Sequence, residues 1–300
     1  MKEKLVVVIP AYNEERFIGS VVLQAREYAD AVIVVDDGSC DATAEIAVAA
    51  GATVVRHTMN QGKGVALNSG FCKAREFHPD AVVMLDADGQ HPPDAIQQVL
   101  CPVLAGEADI VVGSRYLENR SQVPRHRIIG HWGFNLLTRL TSGCPSTDSQ
   151  SGFRAFSPRA MEAITFSSKG FSVESEMQFL ARDLDLRFIE VPITIKYTDK
   201  PKRNVFVHGM LVLNGMLRLV GQHRPLLFFG VPGLILLIAG IAMGVWVLYI
   251  FQLGGQLAIG YAMISVTLEI IGALSLFTGI MLHSIRSLLL DLHNPQERGQ

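Results

Sequence analysis

Short runs of apolar residues recur along the first part of the chain, and a longer segment of mixed polarity follows most of them. A run that is apolar at every position is typical of a strand buried on both faces, and helix-length connections favour parallel neighbours. The sequence therefore predicts an α/β domain, a Rossmann-like and mostly parallel sheet flanked by helices. The predicted strands are Leu5–Ile9, Ala31–Val35, Thr53–Arg56, Ala81–Leu85 and Ile110–Val112, and the predicted helices are Glu14–Tyr28, Ala42–Ala50 and Lys63–Phe77.

The pattern changes near the C-terminus, where two long stretches carry almost no charge. Leu226–Phe251 and Leu257–Leu282 are each long enough to cross a hydrocarbon core of about 30 Å. Arg224 precedes the first stretch and Arg286 follows the second, which predicts that both ends of a transmembrane hairpin face the cytoplasm. Glu269, the one charged residue within them, is expected to be neutral and hydrogen-bonded in helix packing.

Two amphipathic segments lie between the predicted sheet and the hairpin. Arg125–Thr141 reads as a helix of the membrane interface or as an ordinary core helix, whereas the position of Phe206–Val220 beside the first span favours the interface. Two long helices buried in a soluble domain are the alternative to the hairpin. The predicted organisation is the α/β domain at 1–205, an interfacial helix at 206–224, a hairpin at 225–283 and a cytoplasmic tail at 284–300.

Composition narrows the classes of function. The chain has 26 Lys and Arg against 28 Asp and Glu, for a formal net charge of −2, so no nucleic-acid partner is expected. The four cysteines form no C-x-x-C pair, which argues against a zinc site or a disulfide framework. The N-terminal apolar run is broken at Pro10, too early for a signal peptide, so the first domain is expected to stay in the cytoplasm.

Polar clusters follow three of the predicted strands. Because the carboxyl ends of parallel strands meet at one edge of a sheet, these clusters are predicted to converge there. In the third cluster, Asp86 and Asp88 repel each other unless a cation or a proton lies between them, and their oxygens suit Mg²⁺ or Mn²⁺. A helix cap is the structural alternative, but it accounts for Asp94 only. The clusters are 10–14 (PAYNE), 36–39 (DDGS) and 86–91 (DADGQH).

The second cluster contains a candidate for nucleoside recognition. Asp37 stands at the end of a predicted strand, where a carboxylate accepts hydrogen bonds well from a base N–H or a ribose hydroxyl. Ser39 or Asp41 is predicted to cap the helix that follows.

Six motifs, spread over about Leu5–Tyr197, occur in the order typical of family-2 glycosyltransferases. The chain resembles especially the branch of dolichol-phosphate mannose synthases and their relatives that load glucose or N-acetylhexosamine onto polyprenyl phosphate. The resemblance implies a GT-A fold and an inverting transfer from a nucleotide-diphosphate sugar to a polyprenyl phosphate, with Mg²⁺ or Mn²⁺. The motifs are 10–14 (PAYNE), 35–39 (VDDGS), 60–64 (NQGKG), 86–93 (DADGQHPP), 113–115 (GSR) and 148–154 (DSQSGFR).

The resemblance also implies roles for single residues, with Asp86, Asp88 and Arg115 as the catalytic set and Asp86, Asp88 and Gln90 at the metal. Residues 199–204 (DKPKRN) stand where mannose synthases carry Gly-x-Ser-Lys, so GDP-mannose, UDP-glucose and UDP-N-acetylhexosamine all stay open as donors. The nucleotide is expected at Pro10, Tyr12, Glu14, Asp37, Lys63 and Ala87, and the acceptor or diphosphate at Arg115, Arg125, Arg127, Glu176, Lys202 and Arg203.

Two other functions share part of this pattern. A membrane polysaccharide synthase with a different acceptor has similar Asp motifs but would carry Gln-x-x-Arg-Trp, and neither Trp132 nor Trp246 lies in such a motif. A non-catalytic membrane scaffold of a glycolipid pathway would not need Asp86, Asp88 and Arg115 intact. The sequence leaves the length of the lipid and a homo-oligomer open.

Overall fold

The structure is a computed structural model of the 300-residue chain, and it divides into two compact units, Met1–Met216 and Leu217–Gln300. The first unit is an α/β domain and the second is helical. The described residues are 3–90, 95–117, 135, 138–139, 142–144, 146–167, 173–194, 214, 217, 220–221, 224–254 and 258–293.

Within the described residues, the first unit contains a sheet of seven strands in the order β3-β2-β1-β4-β6-β5-β7. All neighbours are parallel except β6, which runs antiparallel to both β4 and β5. The strands are β1 (Leu5–Ala11), β2 (Ala31–Asp36), β3 (Thr53–Arg56), β4 (Ala81–Met84), β5 (Ile110–Ser114), β6 (Arg154–Phe156) and β7 (Phe188–Pro192). The helices are α1 (Ile18–Ala25), α2 (Thr43–Ala49), α3 (Lys63–Arg75), α4 (Ala95–Leu104), α5 (Pro158–Ala163) and α6 (Val173–Asp183).

Helices cover both faces of the sheet, which explains why its strands are apolar at successive positions. In β1, Val7 and Ile9 enter the core formed with α1 and α4, whereas Val6 and Val8 enter the core formed with α3, α5 and α6. A strand with a core on each side gains from burying every side chain, so its sequence does not alternate. The predicted α/β class and mostly parallel sheet are confirmed.

The element boundaries differ from the prediction where loops impose their own hydrogen bonds. The predicted helix Glu14–Tyr28 begins at Ile18, because the amides of Phe17 and Ile18 both bond to the Glu14 carbonyl in a preceding turn. Strand β6 was not predicted, since three residues are too few to show a period. The predicted helices Arg125–Thr141 and Phe206–Val220 and the boundary after residue 205 lie largely outside the described residues.

The second unit is a pair of long helices, α7 (Val231–Gly254) and α8 (Ile259–His293), preceded by a π-helical turn at Leu226–Gly230. The most apolar 18-residue stretch has a mean hydropathy of 2.6 within Leu226–Gly254 and 1.8 within Ile259–Leu288, and both helices are long and apolar enough to cross a membrane. The hairpin predicted from the sequence is consistent with these two helices.

Small residues let the two helices approach closely. A Cβ added at Gly272 would lie 2.5 Å from the backbone nitrogen of Leu237, so the helix backbones nearly touch there. The Ser265 hydroxyl donates to the Gly240 carbonyl at 2.8 Å and lies 3.3 Å from Oε1 of Glu269. Glu269 therefore takes part in helix packing, as predicted, and its neutral state stays a prediction.

Candidate functional site

The loops after β1 and β2 are joined by hydrogen bonds at the carboxyl edge of the sheet. The amide of Asn13 donates to the Ser39 hydroxyl at 2.9 Å, and the Asn13 side-chain oxygen accepts from the Cys40 amide at 2.9 Å. The Glu14 amide donates to the Thr43 hydroxyl at 2.8 Å. Residues far apart in sequence therefore meet at this edge, as parallel pairing predicts.

The same loops leave an aromatic ring at the surface. Tyr12 is 42% exposed, next to the half-buried Pro10 at the end of β1. Of the two candidates for capping α2, Asp41 accepts the amide of Thr43 at 3.1 Å, whereas the Ser39 hydroxyl binds the β1 loop instead. The first and second polar clusters thus form one continuous surface.

Asp37 is buried and is held by donors of the protein. Its two carboxylate oxygens accept the amides of Gln61 at 3.0 Å and Gly62 at 2.8 Å. His57 Nδ1 lies 2.7 Å from Asp37 Oδ1, and its Nε2 lies 2.9 Å from the Ser69 hydroxyl. Asp37 therefore orients the loop that leads into α3, and its predicted contact with a nucleoside stays a prediction. No sequence pattern had pointed to His57.

Lys63, the first residue of α3, links two carboxylates of the site. Its ammonium nitrogen lies 2.6 Å from Oδ1 of Asp86 and 2.6 Å from Oε1 of Glu174. Burial by itself lowers the pKa of Lys63, but the charges of Asp86 and Glu174 outweigh burial and raise that pKa above its ordinary value. The site therefore holds a fixed positive charge beside Asp86.

Glu174 was missed by the sequence reasoning, which had assigned Glu176 through a family motif. Residues two apart on a helix point in different directions, so only one of the pair reaches Lys63. Glu176 is buried, and its Oε1 accepts the amide of Ser167 at 2.7 Å. Its expected place on the acceptor side stays a prediction. An acid in the first turn of α6 was the one available signal for Glu174.

The turn after β4 presents the other predicted metal ligands. Asp88 Oδ1 accepts the Gln90 amide at 3.0 Å, and Ala87 between the two aspartates is buried. Asp86 packs directly against Gly152, where an added Cβ would lie 2.0 Å from Oδ2. The position of Asp86 is thus set from two sides, by Lys63 and by a glycine.

Arg115 follows β5 and is oriented by the buried Asp148. Its Nε lies 2.6 Å from Oδ2 and its Nη2 2.6 Å from Oδ1 of that carboxylate, a two-pronged pair. The Arg115 amide also donates to Oδ2 at 3.0 Å. Such a pair fixes the plane of the guanidinium. The predicted contact of Arg115 with phosphate or acceptor stays a prediction.

The side chains of the turn fit a divalent cation whose remaining ligands come from a substrate and from water. Two carboxylates and an amide, from Asp86, Asp88 and Gln90, are the hard oxygen donors that Mg²⁺ and Mn²⁺ prefer. Among the described residues, no three His, Cys, Asp or Glu side chains come together as a metal-binding group. Mg²⁺ is commonly held by one or two carboxylates plus phosphate and water, so this arrangement fits it.

Four predicted phosphate-binding residues lie outside the described part of the chain: Arg125, Arg127, Lys202 and Arg203. The described site consists of the joined loops after β1 and β2, the start of α3, the Asp86 turn, and the Arg115–Asp148 pair. It combines carboxylates with fixed cations, which suits a phosphate-bearing ligand.

Comparisons with known proteins identify the family of the chain. Residues 6–165 match the family model described as Glycosyl transferase family 2. The chain is 36% identical over 223 residues to the UDP-N-acetylglucosamine–dolichyl-phosphate N-acetylglucosaminyltransferase of Methanococcus voltae, covering 66% of this chain and 88% of that protein. It is 34% identical over 206 residues to the undecaprenyl-phosphate mannosyltransferase of Micrococcus luteus, covering 64% of this chain and 83% of that protein.

A solved structure shows a similar fold. The glucosyl-3-phosphoglycerate synthase of Mycobacterium tuberculosis in complex with uridine diphosphate is 25% identical and superposes with a TM-score of 0.58. The match covers 73% of this chain and 80% of that one. The similarity therefore extends over most of both chains.

Proposed function

Because the chain belongs to glycosyltransferase family 2, with the GT-A fold of that family, we propose that it transfers a sugar from a nucleotide-diphosphate sugar to a polyprenyl phosphate. The observation that carries the proposal is the meeting of Lys63, Asp86 and Glu174 beside the joined loops of β1 and β2. Relatives named for dolichyl and undecaprenyl phosphate support the lipid acceptor.

The nucleotide binds across the loops after β1 and β2. Tyr12 offers an exposed ring to a base, and Pro10, Glu14 and Asp37 line the same edge of the sheet. Lys63 brings a positive charge to the start of α3, where a diphosphate gains from both the ammonium and the helix N-terminus. Ala87 belongs to the turn that follows.

A divalent cation, Mg²⁺ or Mn²⁺, supplies positive charge against the departing diphosphate when it is bound. Asp86 and Asp88 would hold it through their carboxylates, with Gln90 beside them. The Lys63 ammonium lies 2.6 Å from Oδ1 of Asp86, so the ammonium and the cation would together balance the carboxylates and the diphosphate.

The acceptor phosphate is anionic at neutral pH and needs little help from a general base. The main demands are orientation and the repulsion between two phosphate groups. Arg115 lies at the end of β5, with its guanidinium plane fixed by Asp148. Its fixed positive charge orients the acceptor phosphate and reduces the repulsion between the two phosphate groups. Glu176, Arg125, Arg127, Lys202 and Arg203 are proposed on the acceptor or diphosphate side by motif or charge alone.

The helical unit anchors the enzyme where its lipid substrate lies. A polyprenyl chain cannot leave the bilayer without exposing a large apolar surface, so the transfer takes place at the membrane. The hairpin places Arg224 and Arg286 on the cytoplasmic side, together with the catalytic domain. The proposed organisation is a transferase domain at 1–205, an interfacial helix at 206–224, the hairpin at 225–283 and a tail.

A panel assay tests the proposal. Purified full-length protein in detergent is offered GDP-mannose, UDP-glucose or UDP-N-acetylglucosamine with a short polyprenyl phosphate, and the lipid product is identified by mass spectrometry. We expect one donor to give a glycosylated lipid in the presence of Mg²⁺ or Mn²⁺ and none after chelation. Release of nucleoside diphosphate with no glycolipid would instead indicate another acceptor, as in a polysaccharide synthase.

A further inference from the structure

Arg154 is a fully buried arginine between the strand that leads to Asp86 and the strand that leads to Arg115. It is the first residue of β6 and pairs across the sheet with Met84 on one side and Val112 on the other. Soon after Met84 the chain reaches Asp86, and soon after Val112 it reaches Arg115. Arg154 therefore lies between the two strand ends that present these groups.

The guanidinium of Arg154 holds the loop that precedes β6. Its Nε donates to the Ser151 carbonyl oxygen at 2.9 Å, and its Nη2 donates to the Ser149 carbonyl oxygen at 3.1 Å. Both serines are buried, so these carbonyls would be costly to leave without a donor. Arg154 thus fixes the course of the chain from Asp148 to Gly152.

Each end of this loop carries a contact of the site. Asp148 at its start binds Arg115 through both carboxylate oxygens, and Gly152 at its end lies against Asp86. The loop is short, so a rotation of its middle carbonyls would shift both contacts together. One buried side chain therefore binds a loop whose two ends contact groups from different strands.

The charge of Arg154 is costly to bury in this position. Burial lowers the pKa of the guanidinium, and among the described residues its Nη1 has no hydrogen-bond acceptor. A buried charge is weak evidence for stability, because apolar residues of similar size often serve a core as well or better. The carboxylates around Arg154 account for an arginine at this position better than a contribution to the stability of the fold does. The carboxylates that oppose the effect of burial are Glu174, Asp148, Glu190 and Asp86.

We propose that Arg154 is a positioning residue for sugar transfer, which holds the loop from Asp148 to Gly152 so that Arg115 and Asp86 keep their relative places. The inference rests on the function proposed above. Arg154 acts through these two residues and makes no contact of its own with the substrate.

Two substitutions of Arg154 test the inference. Arg154→Met keeps an unbranched side chain, shorter than that of arginine, and removes the charge and both hydrogen bonds, whereas Arg154→Lys keeps the charge and a donor. We expect turnover at saturating donor to fall about 100-fold in Arg154→Met, since a displacement near 1 Å has such effects. The KM for the nucleotide sugar should change by less than about threefold, because other hydrogen bonds hold the nucleotide loops. Arg154→Lys should recover part of the lost turnover.

Hydrogen exchange of the full chain in detergent gives a readout that does not depend on the reaction. We expect the amides of residues 148–152 to exchange on the order of tenfold faster in Arg154→Met, because the loop loses two of its anchors. Arg75→Met is the matched control, since Arg75 also donates to two backbone carbonyls, those of Met161 and Glu162. Arg75 lies at the opposite end of α3 from Lys63, about 18 Å away, so its loss should leave both readouts unchanged.

The outcomes separate this inference from the proposed function. Normal turnover and normal loop exchange in Arg154→Met would overturn the positioning role. An equal loss of turnover in Arg154→Met and Arg154→Lys that parallels their melting temperatures, with the loop amides still protected, would also overturn that role. Arg154 would then act only as a core residue. If Arg154→Met does not fold, the comparison of Arg154→Lys with the wild type decides by the same two readouts. If the wild type makes no glycolipid, the proposed function fails, and loop exchange still decides on Arg154.

Discussion

Gly152 lies so close to Asp86 that the structure leaves no room for a side chain at this position. An added Cβ would be 2.0 Å from Oδ2 and 2.5 Å from Cγ of Asp86, whereas real Cβ contacts are essentially never shorter than 3.0 Å. In Gly152→Ala the distance to Oδ2 must therefore grow from 2.0 Å to at least 3.0 Å, a shift of at least 1.0 Å. The carboxylate or the loop has to move.

The shift should affect catalysis more than stability. Asp86 is 2.6 Å from the ammonium of Lys63, and a movement of 1.0 Å away from it would break that hydrogen bond. A misplacement of about 1 Å at a reacting group can cost about 100-fold in rate, so we expect that loss in turnover. Overpacking costs about 1–3 kcal/mol, and in a domain of this size each kcal/mol lowers the melting temperature by about 2–4 °C.

The assay measures glycolipid formation at saturating donor and metal, together with the melting temperature of each protein. Gly19→Ala is the matched control, because its Cβ would meet only the methyl Cγ2 of Ile46, at 2.9 Å, and that side chain can rotate. We expect Gly19→Ala to retain normal turnover. A Gly152→Ala enzyme with normal turnover would refute the placement of Asp86 in the reaction, and equal losses in both variants would point to general destabilisation instead.

Three further predictions concern the metal, an ion pair and the membrane hairpin. Asp88→Ala should lower turnover by about 100-fold or more, and should weaken Mn²⁺ binding measured by electron paramagnetic resonance; near-normal transfer would exclude Asp88 as a ligand. Burial raises the pKa of Asp109, but hydrogen bonds from Arg187 and Ser157 outweigh burial, so the pKa of Asp109 lies below its ordinary value. The stability from this pair is present above the ordinary pKa of Asp and is lost as the pH falls through the lower folded value. The stability difference between wild type and Arg187→Met, measured by urea unfolding, should therefore shrink below about pH 4, and a constant difference would contradict it. Gly272→Ala should lower the melting temperature in detergent, because its Cβ would meet the backbone of the facing helix, whereas Gly260→Ala, with open space around it, should not.

Local sequence was sufficient to identify most of the sheet and the two long apolar helices. Ala81–Leu85 was predicted within one residue of the observed β4 (Ala81–Met84), because a strand buried at every position needs an apolar run that is visible without its neighbours. The hydrophobic length of Leu226–Phe251 likewise depends on no partner. The short strand β6 and the late start of α1 were not predicted, since pairing and turn hydrogen bonds decide them.

The sequence by itself determined which residues end the parallel strands, and therefore that Asp37 and Asp86 lie at one edge of the sheet. Only the tertiary structure decided which groups meet there. Lys63 pairs with Glu174, which lies on α6. Gly152, in the loop before β6, contacts Asp86, which follows β4. The physical reason is that apolar periodicity is a property of consecutive residues, whereas a hydrogen bond between distant residues depends on how the elements pack.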